Sequence, residues 1–132
     1  MKHAFLVTAL LTALAIGAPD VLSASAPPHV TADSQLDAGR YIVLTAGCNH
    51  CHTQGWQSSD GAVLQSAWLK GGIAPPNIPA PNLRVIVHAL PRSSFVALFR
   101  TKQPASAMPW VDVRNLSDAD LGAVYAFIHA LP

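Results

Sequence analysis

Hydrophobic and polar positions divide the chain into one long apolar run and a series of short amphipathic stretches. The run comes first. Ala4 to Gly17 is apolar except for Thr8 and Thr12, follows Lys2, and leads into a small-residue stretch that ends at Ala26. About fourteen residues are too few for a membrane-spanning helix, which needs about 20. A basic start, an apolar middle and a small-residue end match a secretory signal peptide over residues 1–26. Ala24-Ser25-Ala26 satisfies the small-x-small cleavage rule but sets Pro27 directly after the cut, so Ser23 and Ala24 are neighbouring choices. An uncleaved N-terminal anchor is the alternative. On either reading, residues 27–132 form the exported, folded part.

Within that part the periodicity is helical. A first helix is expected from Ala32 or Asp33, with Leu36, Tyr41, Val43 and Leu44 as its apolar positions and Gly47 as its end. A second is expected over Ala62–Leu69, stopped by Gly71-Gly72. The stretch from Ile73 to Leu83 holds four prolines and lacks too many amide donors for a helix interior or a central strand. Its interleaved Ile73, Ile78 and Leu83 predict an ordered loop packed on something apolar. Arg84 to Leu90 is ambiguous: Val85-Ile86-Val87 favours a strand, yet no partner strand is visible, which leaves a short helix or turn. Phe95, Val96, Leu98 and Phe99 mark another helix, capped by Ser93 or Ser94, with Arg100 and Lys102 suited to its C-terminal dipole. The last helix is the best defined. Ser117 caps it, Asp118 and Asp120 sit in its first turn, and Leu121, Val124, Tyr125, Ile128 and Leu131 form a stripe that must dock against another helix. The pattern is that of an all-α domain of three to five short helices.

Composition narrows the picture. With 132 residues the chain fits one domain. Charged residues make up 11%, every acidic side chain is an aspartate, and the formal net charge is +1. That balance creates no strong field for nucleic acid or an anionic membrane. Two cysteines are too few for a disulfide-stapled scaffold. A domain of this size builds only a modest core of its own, which leaves room for a bound group to complete it.

The chemistry lies at Cys48-Asn49-His50-Cys51-His52. Two cysteines three apart on a turn or helix start present both sulfurs to one side, and the next histidine points its imidazole into the same space. C-x-x-C-H is the attachment signature of c-type haem. Each thiol adds across a porphyrin vinyl group as a thioether, while His52 ligates the iron. Two other chemistries use paired cysteines. A thioredoxin-type disulfide expects a preceding strand and a βαβ context, which the pattern lacks. Structural zinc needs two further ligands, for which His50 and His52 are crowded.

A fast electron carrier needs a second axial ligand. Once the signal is removed, Met108 is the one remaining methionine, placed in Ala107-Met108-Pro109-Trp110 beyond the loop signal Gln103-Pro104-Ala105. A methionine in a small-residue loop between helices is poorly explained as core filler, so Met108 is the expected sixth ligand. His88 and His129 sit among apolar residues and read as core or rim histidines, while His29 and His50 read as solvated.

The order Gly39-Arg40-Tyr41, Cys48-Asn49-His50-Cys51-His52, Pro81-Asn82-Leu83, Met108-Pro109-Trp110, Leu116-Ser117-Asp118-Ala119-Asp120-Leu121 and Tyr125-Ala126-Phe127-Ile128 resembles a class I monohaem cytochrome c. The resemblance covers essentially the whole of residues 27–132. It implies the class I cytochrome c fold around one covalently attached haem c, bound through Cys48 and Cys51, with iron held by His52 and Met108. It also implies that the helix carrying Gly39 and Tyr41 crosses the C-terminal helix near Tyr125, with Gly39 allowing close approach.

Metal-bound histidines usually donate their second ring nitrogen to a carbonyl or carboxylate. For His52 the natural acceptor is a carbonyl of the Pro75–Pro81 loop; the family uses a proline there, and Pro76 and Pro81 compete for that register. Arg84, Trp56, Trp68 and Trp110 are candidates for haem propionates, or for packing on the porphyrin. The expected function is outer-sphere electron transfer in the periplasm, without catalysis, to a redox partner protein: a dehydrogenase, an oxidase or another cytochrome. The resemblance extends to cytochromes that serve periplasmic dehydrogenases, so a cytochrome subunit of an exported dehydrogenase or oxidase complex is the alternative. With few and scattered charges, the docking patch should be apolar and weak. A haem sensor or peroxidase-like enzyme would need polar distal groups, which Ala105, Ser106, Ala107 and Trp110 hardly supply.

Overall fold

Ser34 starts the first helix. Its hydroxyl accepts the Asp37 amide at 3.1 Å, and α1 runs Gln35–Thr45, slightly later than the apolar pattern suggested. The computed structural model describes residues 26–101 and 107–132, so the expected signal segment and the Gln103–Ala105 loop lie outside the described residues. Gly47 adopts φ 70°, a left-handed turn that reverses the chain into the five-residue helix α2, Cys48–His52. A two-stranded antiparallel hairpin follows, β1 Gly72–Ala74 and β2 Ile78–Ala80. Four helices complete the fold: α3 Leu83–Ala89, α4 Arg92–Arg100, α5 Trp110–Arg114 and α6 Asp118–Ala130. The architecture is mostly helical, with six α-helices among the described residues where three to five were expected. None of the described helices is long and apolar enough to cross a membrane.

The crossing of α1 on α6 is the principal contact of the fold. Ala38, Gly39, Ile42 and Val43 of α1 are buried there, whereas Leu36 and Tyr41, expected among its apolar positions, turn outward. Gly39 decides how close the helices come. A Cβ at that position would lie 2.6 Å from the Ala123 carbonyl carbon and 2.7 Å from the Phe127 Cβ, so the approach is made at Ala123 and Phe127 rather than at Tyr125. Tyr125 lies half-buried and donates its hydroxyl to the Leu90 carbonyl at 3.0 Å. The stripe predicted on α6 is otherwise present: Leu121, Val124, Ile128 and Leu131 are buried. Gly122, Ala123 and Phe127 join them, so α6 is covered on more than one face.

At the N-terminus of α6, Ser117 and Asp120 exchange hydrogen bonds in a capping box, with the Asp120 amide donating to the Ser117 hydroxyl oxygen at 3.1 Å and the Ser117 amide donating to the Asp120 carboxylate at 3.1 Å. The same carboxylate accepts the amides of His29 and Val30, tying the first described residues to this helix. Burial opposes the charge on Asp120, but these amides and the Ser117 hydroxyl outweigh it and hold its pKa below the ordinary aspartate value.

Three local expectations change. Over Ala62–Leu69 only a 3₁₀ turn forms, at Gln65–Ala67. Helix continuation is lost because Leu69 adopts φ 59° and commits both backbone groups to distant partners. Its amide donates to the Thr53 hydroxyl at 2.8 Å, and its carbonyl accepts the Leu83 amide at 2.9 Å. The side chain of Leu69 is fully buried, and this tertiary fit overrides helix propensity. The proline-rich segment is a hairpin rather than a loop, pairing Gly72 with Ala80 and Ile73 with Pro79. A two-stranded ribbon has only edge strands, so Pro79 can direct its missing donor away from the partner. Finally, Pro91 rather than Ser93 or Ser94 occupies the N-cap of α4, while the ambiguous Arg84–Leu90 stretch is helical behind an Asn82 cap.

Candidate functional site

The short helix α2 brings Cys48, Cys51 and His52 to one end of the hairpin. Close packing of β1 on α2 depends on Gly72, where a Cβ would come within 2.5 Å of the Cys51 carbonyl oxygen. The Gly71 amide donates to the His52 carbonyl at 2.9 Å, and Thr53 bridges to Gly71. With the hairpin fixed in this way, the Pro81 carbonyl reaches His52 Nδ1 at 2.8 Å. A carbonyl oxygen only accepts, so Nδ1 carries the proton and Nε2 keeps its lone pair. Of the two competing registers, the structure adopts Pro81. The imidazole is buried, which pushes its pKa down, and the Pro81 carbonyl opposes part of that shift.

A second set of contacts supports this turn. Thr53 donates its hydroxyl to Asn49 Oδ1 at 2.6 Å while accepting the Leu69 amide. Asn49 is buried, and its Nδ2 makes no hydrogen bond among the described residues.

His52 and Cys51 open onto a cleft of about 270 Å³, concave and mostly apolar as small-molecule and cofactor sites are. The hairpin supplies one wall through Ala74, Ile78 and Pro79–Pro81; α3 and α4 supply another through Leu83, Ile86, Phe95, Leu98 and Phe99. Met108 and Trp110 complete the lining. No charged side chain lines the cleft among the described residues. Three of the four predicted site residues, Cys51, His52 and Met108, therefore meet at one apolar cleft. Cys48 lies one turn earlier in α2, half-buried against the core.

Of the candidate polar partners, Trp110 alone reaches this cleft. Trp68 donates its indole N–H to the Val63 carbonyl at 2.9 Å, and Trp56 packs edge-on against it. Arg84 is buried and clamps backbone instead, donating to the carbonyls of Trp68 at 2.7 Å and Gln65 at 2.8 Å and to the backbone oxygen of Pro132. The walls contributed by Ile86, Phe95, Leu98 and Phe99 had a visible signal, since the three α4 residues recur at spacings of three and one. Periodicity, however, does not distinguish a core face from a cleft face.

The thiols bear on the competing chemistries. Burial pushes Cys48 up to about 11. A redox-active C-x-x-C motif needs the opposite shift, toward a stable thiolate. The motif is also preceded by α1 rather than by a strand. Among the described residues no group of three or more His, Cys, Asp or Glu side chains is arranged to hold a metal ion, as a zinc site would require.

Two thiols on one short helix, an imidazole with a fixed Nε2 lone pair and a thioether on the same apolar lining suit a flat, largely apolar macrocycle carrying iron. The residues present thus fit haem c. Comparison with protein-family models, with curated proteins and with solved structures returned no match to this chain.

Proposed function

We propose that this chain is an exported, periplasmic electron carrier of the class I monohaem cytochrome c type. Cys48 and Cys51 would form the thioether links, and His52 and Met108 would hold the iron. The observation that carries this reading is the convergence of Cys51, His52 and Met108 on one apolar cleft, with the His52 ring oriented by the Pro81 carbonyl.

A haem held by these residues would supply one-electron exchange, with the Met108 thioether favouring the Fe(II) state. The chain's own residues set the conditions for this exchange. The hydrogen bond to Pro81 fixes the ring plane and tautomer of His52 and raises its basicity as a ligand. Phe95, Leu98 and Phe99 give the cleft an apolar wall, which would disfavour the more highly charged oxidised state of a bound haem. Ile78 lies at the cleft and remains exposed, as does Ile73 on β1, so an uncharged rim is available to a redox partner. Weak, transient redox encounters bury small areas of this kind. No group in the cleft needs to make or break a bond.

The test is to produce the chain in a host with haem-attachment machinery and record oxidised and reduced spectra. The expected result is covalent haem, sharp low-spin bands, and a near-infrared sulfur-to-iron band in the oxidised form that disappears in Met108→Ala. A high-spin spectrum with ready CO binding would reject the carrier in favour of sensing or catalysis. Absence of covalent haem would return Cys48 and Cys51 to disulfide or zinc chemistry.

A further inference from the structure

Outside the cleft, two imidazoles meet on the surface. His88 lies in the last turn of α3 and His129 in the last turn of α6, with ring centroids 4.4 Å apart and planes tilted by 48°. Both residues are exposed, and among the described residues neither ring makes a hydrogen bond or ion pair. The neighbouring residues hold them in place. Val87 and Ile128, next in sequence to the two histidines, are fully buried between packed helices. Tyr125 stands 5.8 Å from His129 on the same helix and is itself fixed through its hydroxyl to Leu90.

We propose that His88 and His129 form a two-imidazole site for a late first-row divalent cation, with copper(II) preferred. Neutral imidazole is a strong ligand for such ions, and copper(II) leads the affinity order for nitrogen donors. Both rings stand at helix C-termini, where unpaired carbonyls leave partial negative charge that favours a cation. With a metal about 2.0 Å from each imidazole nitrogen, ring centroids up to about 6 Å apart can serve one ion, and these two stand 4.4 Å apart. No third His, Cys, Asp or Glu joins the pair among the described residues, so water completes the coordination. The site is independent of the haem reading.

The experiment is a titration of copper(II) into the exported chain, followed by calorimetry and by electron paramagnetic resonance. Any thiols found free are alkylated first, so that Cys48 and Cys51 do not compete. The expected result is one copper per chain with coupling from two imidazole nitrogens. His88→Gln and His129→Gln should each weaken binding at least about tenfold, because either change removes the chelate, and the double variant should be little worse than either single one. His29→Gln should leave binding unchanged. Circular dichroism without metal confirms that the variants are folded, as expected for two exposed side chains. Binding that persists within twofold in both single variants, that is lost in His29→Gln, or that is absent from the parent chain would overturn the proposal.

Discussion

Gly39→Ala tests the helix crossing on which the fold depends. The added Cβ would stand 2.6 Å from the Ala123 carbonyl carbon and 2.7 Å from the Phe127 Cβ. Carbon atoms in good contact sit about 3.5–4.0 Å apart, so α1 and α6 must separate by about 1 Å. Overpacking of this kind costs about 1–3 kcal/mol, and the upper end applies because the obstruction is a helix backbone that cannot rotate away. Alanine regains about 1 kcal/mol of helix propensity over glycine. The net expectation is a loss of about 2 kcal/mol from a total in the range of about 5–15 kcal/mol. For a domain of this size that lowers the melting temperature by about 10 °C. Gly122→Ala is the matched control: its Cβ meets the Arg92 guanidinium, the far end of a flexible side chain, and the propensity gain is the same. Thermal and urea unfolding followed by far-ultraviolet circular dichroism measure both. If Gly39→Ala is as stable as the parent chain, or no worse than Gly122→Ala, the close approach of α1 to α6 is not what limits this position.

Further outcomes follow from the buried polar groups. Asp120→Asn should cost about 1–3 kcal/mol, because it replaces an ionised acceptor of several amides with a neutral one. The folded-state pKa of Asp120 is lowered, so its contribution is present above the ordinary value of 3.8 and is lost as pH falls through the depressed folded value. Urea midpoints measured across acidic pH should therefore fall less steeply in the variant; parallel curves would contradict this role. Arg84→Met should cost about 2–4 kcal/mol by stranding the carbonyls of Trp68 and Gln65, and an unchanged unfolding midpoint would show that water satisfies them. Thr53→Val keeps the side-chain shape but removes the link between Asn49 and the Leu69 amide, for an expected loss of about 1–3 kcal/mol with faster amide exchange at Leu69.

Local signals were sufficient for several features of this protein. The C-x-x-C-H run, the Ser117 cap with its two following aspartates, and the Leu121–Leu131 stripe were all legible, because capping and amphipathic periodicity depend on residues within one or two turns. The family resemblance, rather than any local signal, marked Gly39 as a point of close approach. Its partners Ala123 and Phe127 could not be read, since periodicity specifies a face but not the register between two helices. Tertiary structure decided the segments whose backbone bonds go to distant partners. Leu69 left the helical region because Thr53 and Leu83 take up its amide and carbonyl. The prolines at 75–81 folded into a hairpin because α2 and Gly72 provide a close-packed surface beside them. The choice of Pro81 over Pro76 was settled by the hairpin's placement against His52. Arg84 shows the same limit from the other side: a guanidinium suited in the sequence to a haem propionate is buried against the backbone oxygens of Trp68, Gln65 and Pro132 in the fold. The sequence determined which donors this chain carries and which helices it can form; the packing of α1, α3 and α6 and of the hairpin decided which donors meet, because those encounters join residues far apart in the chain.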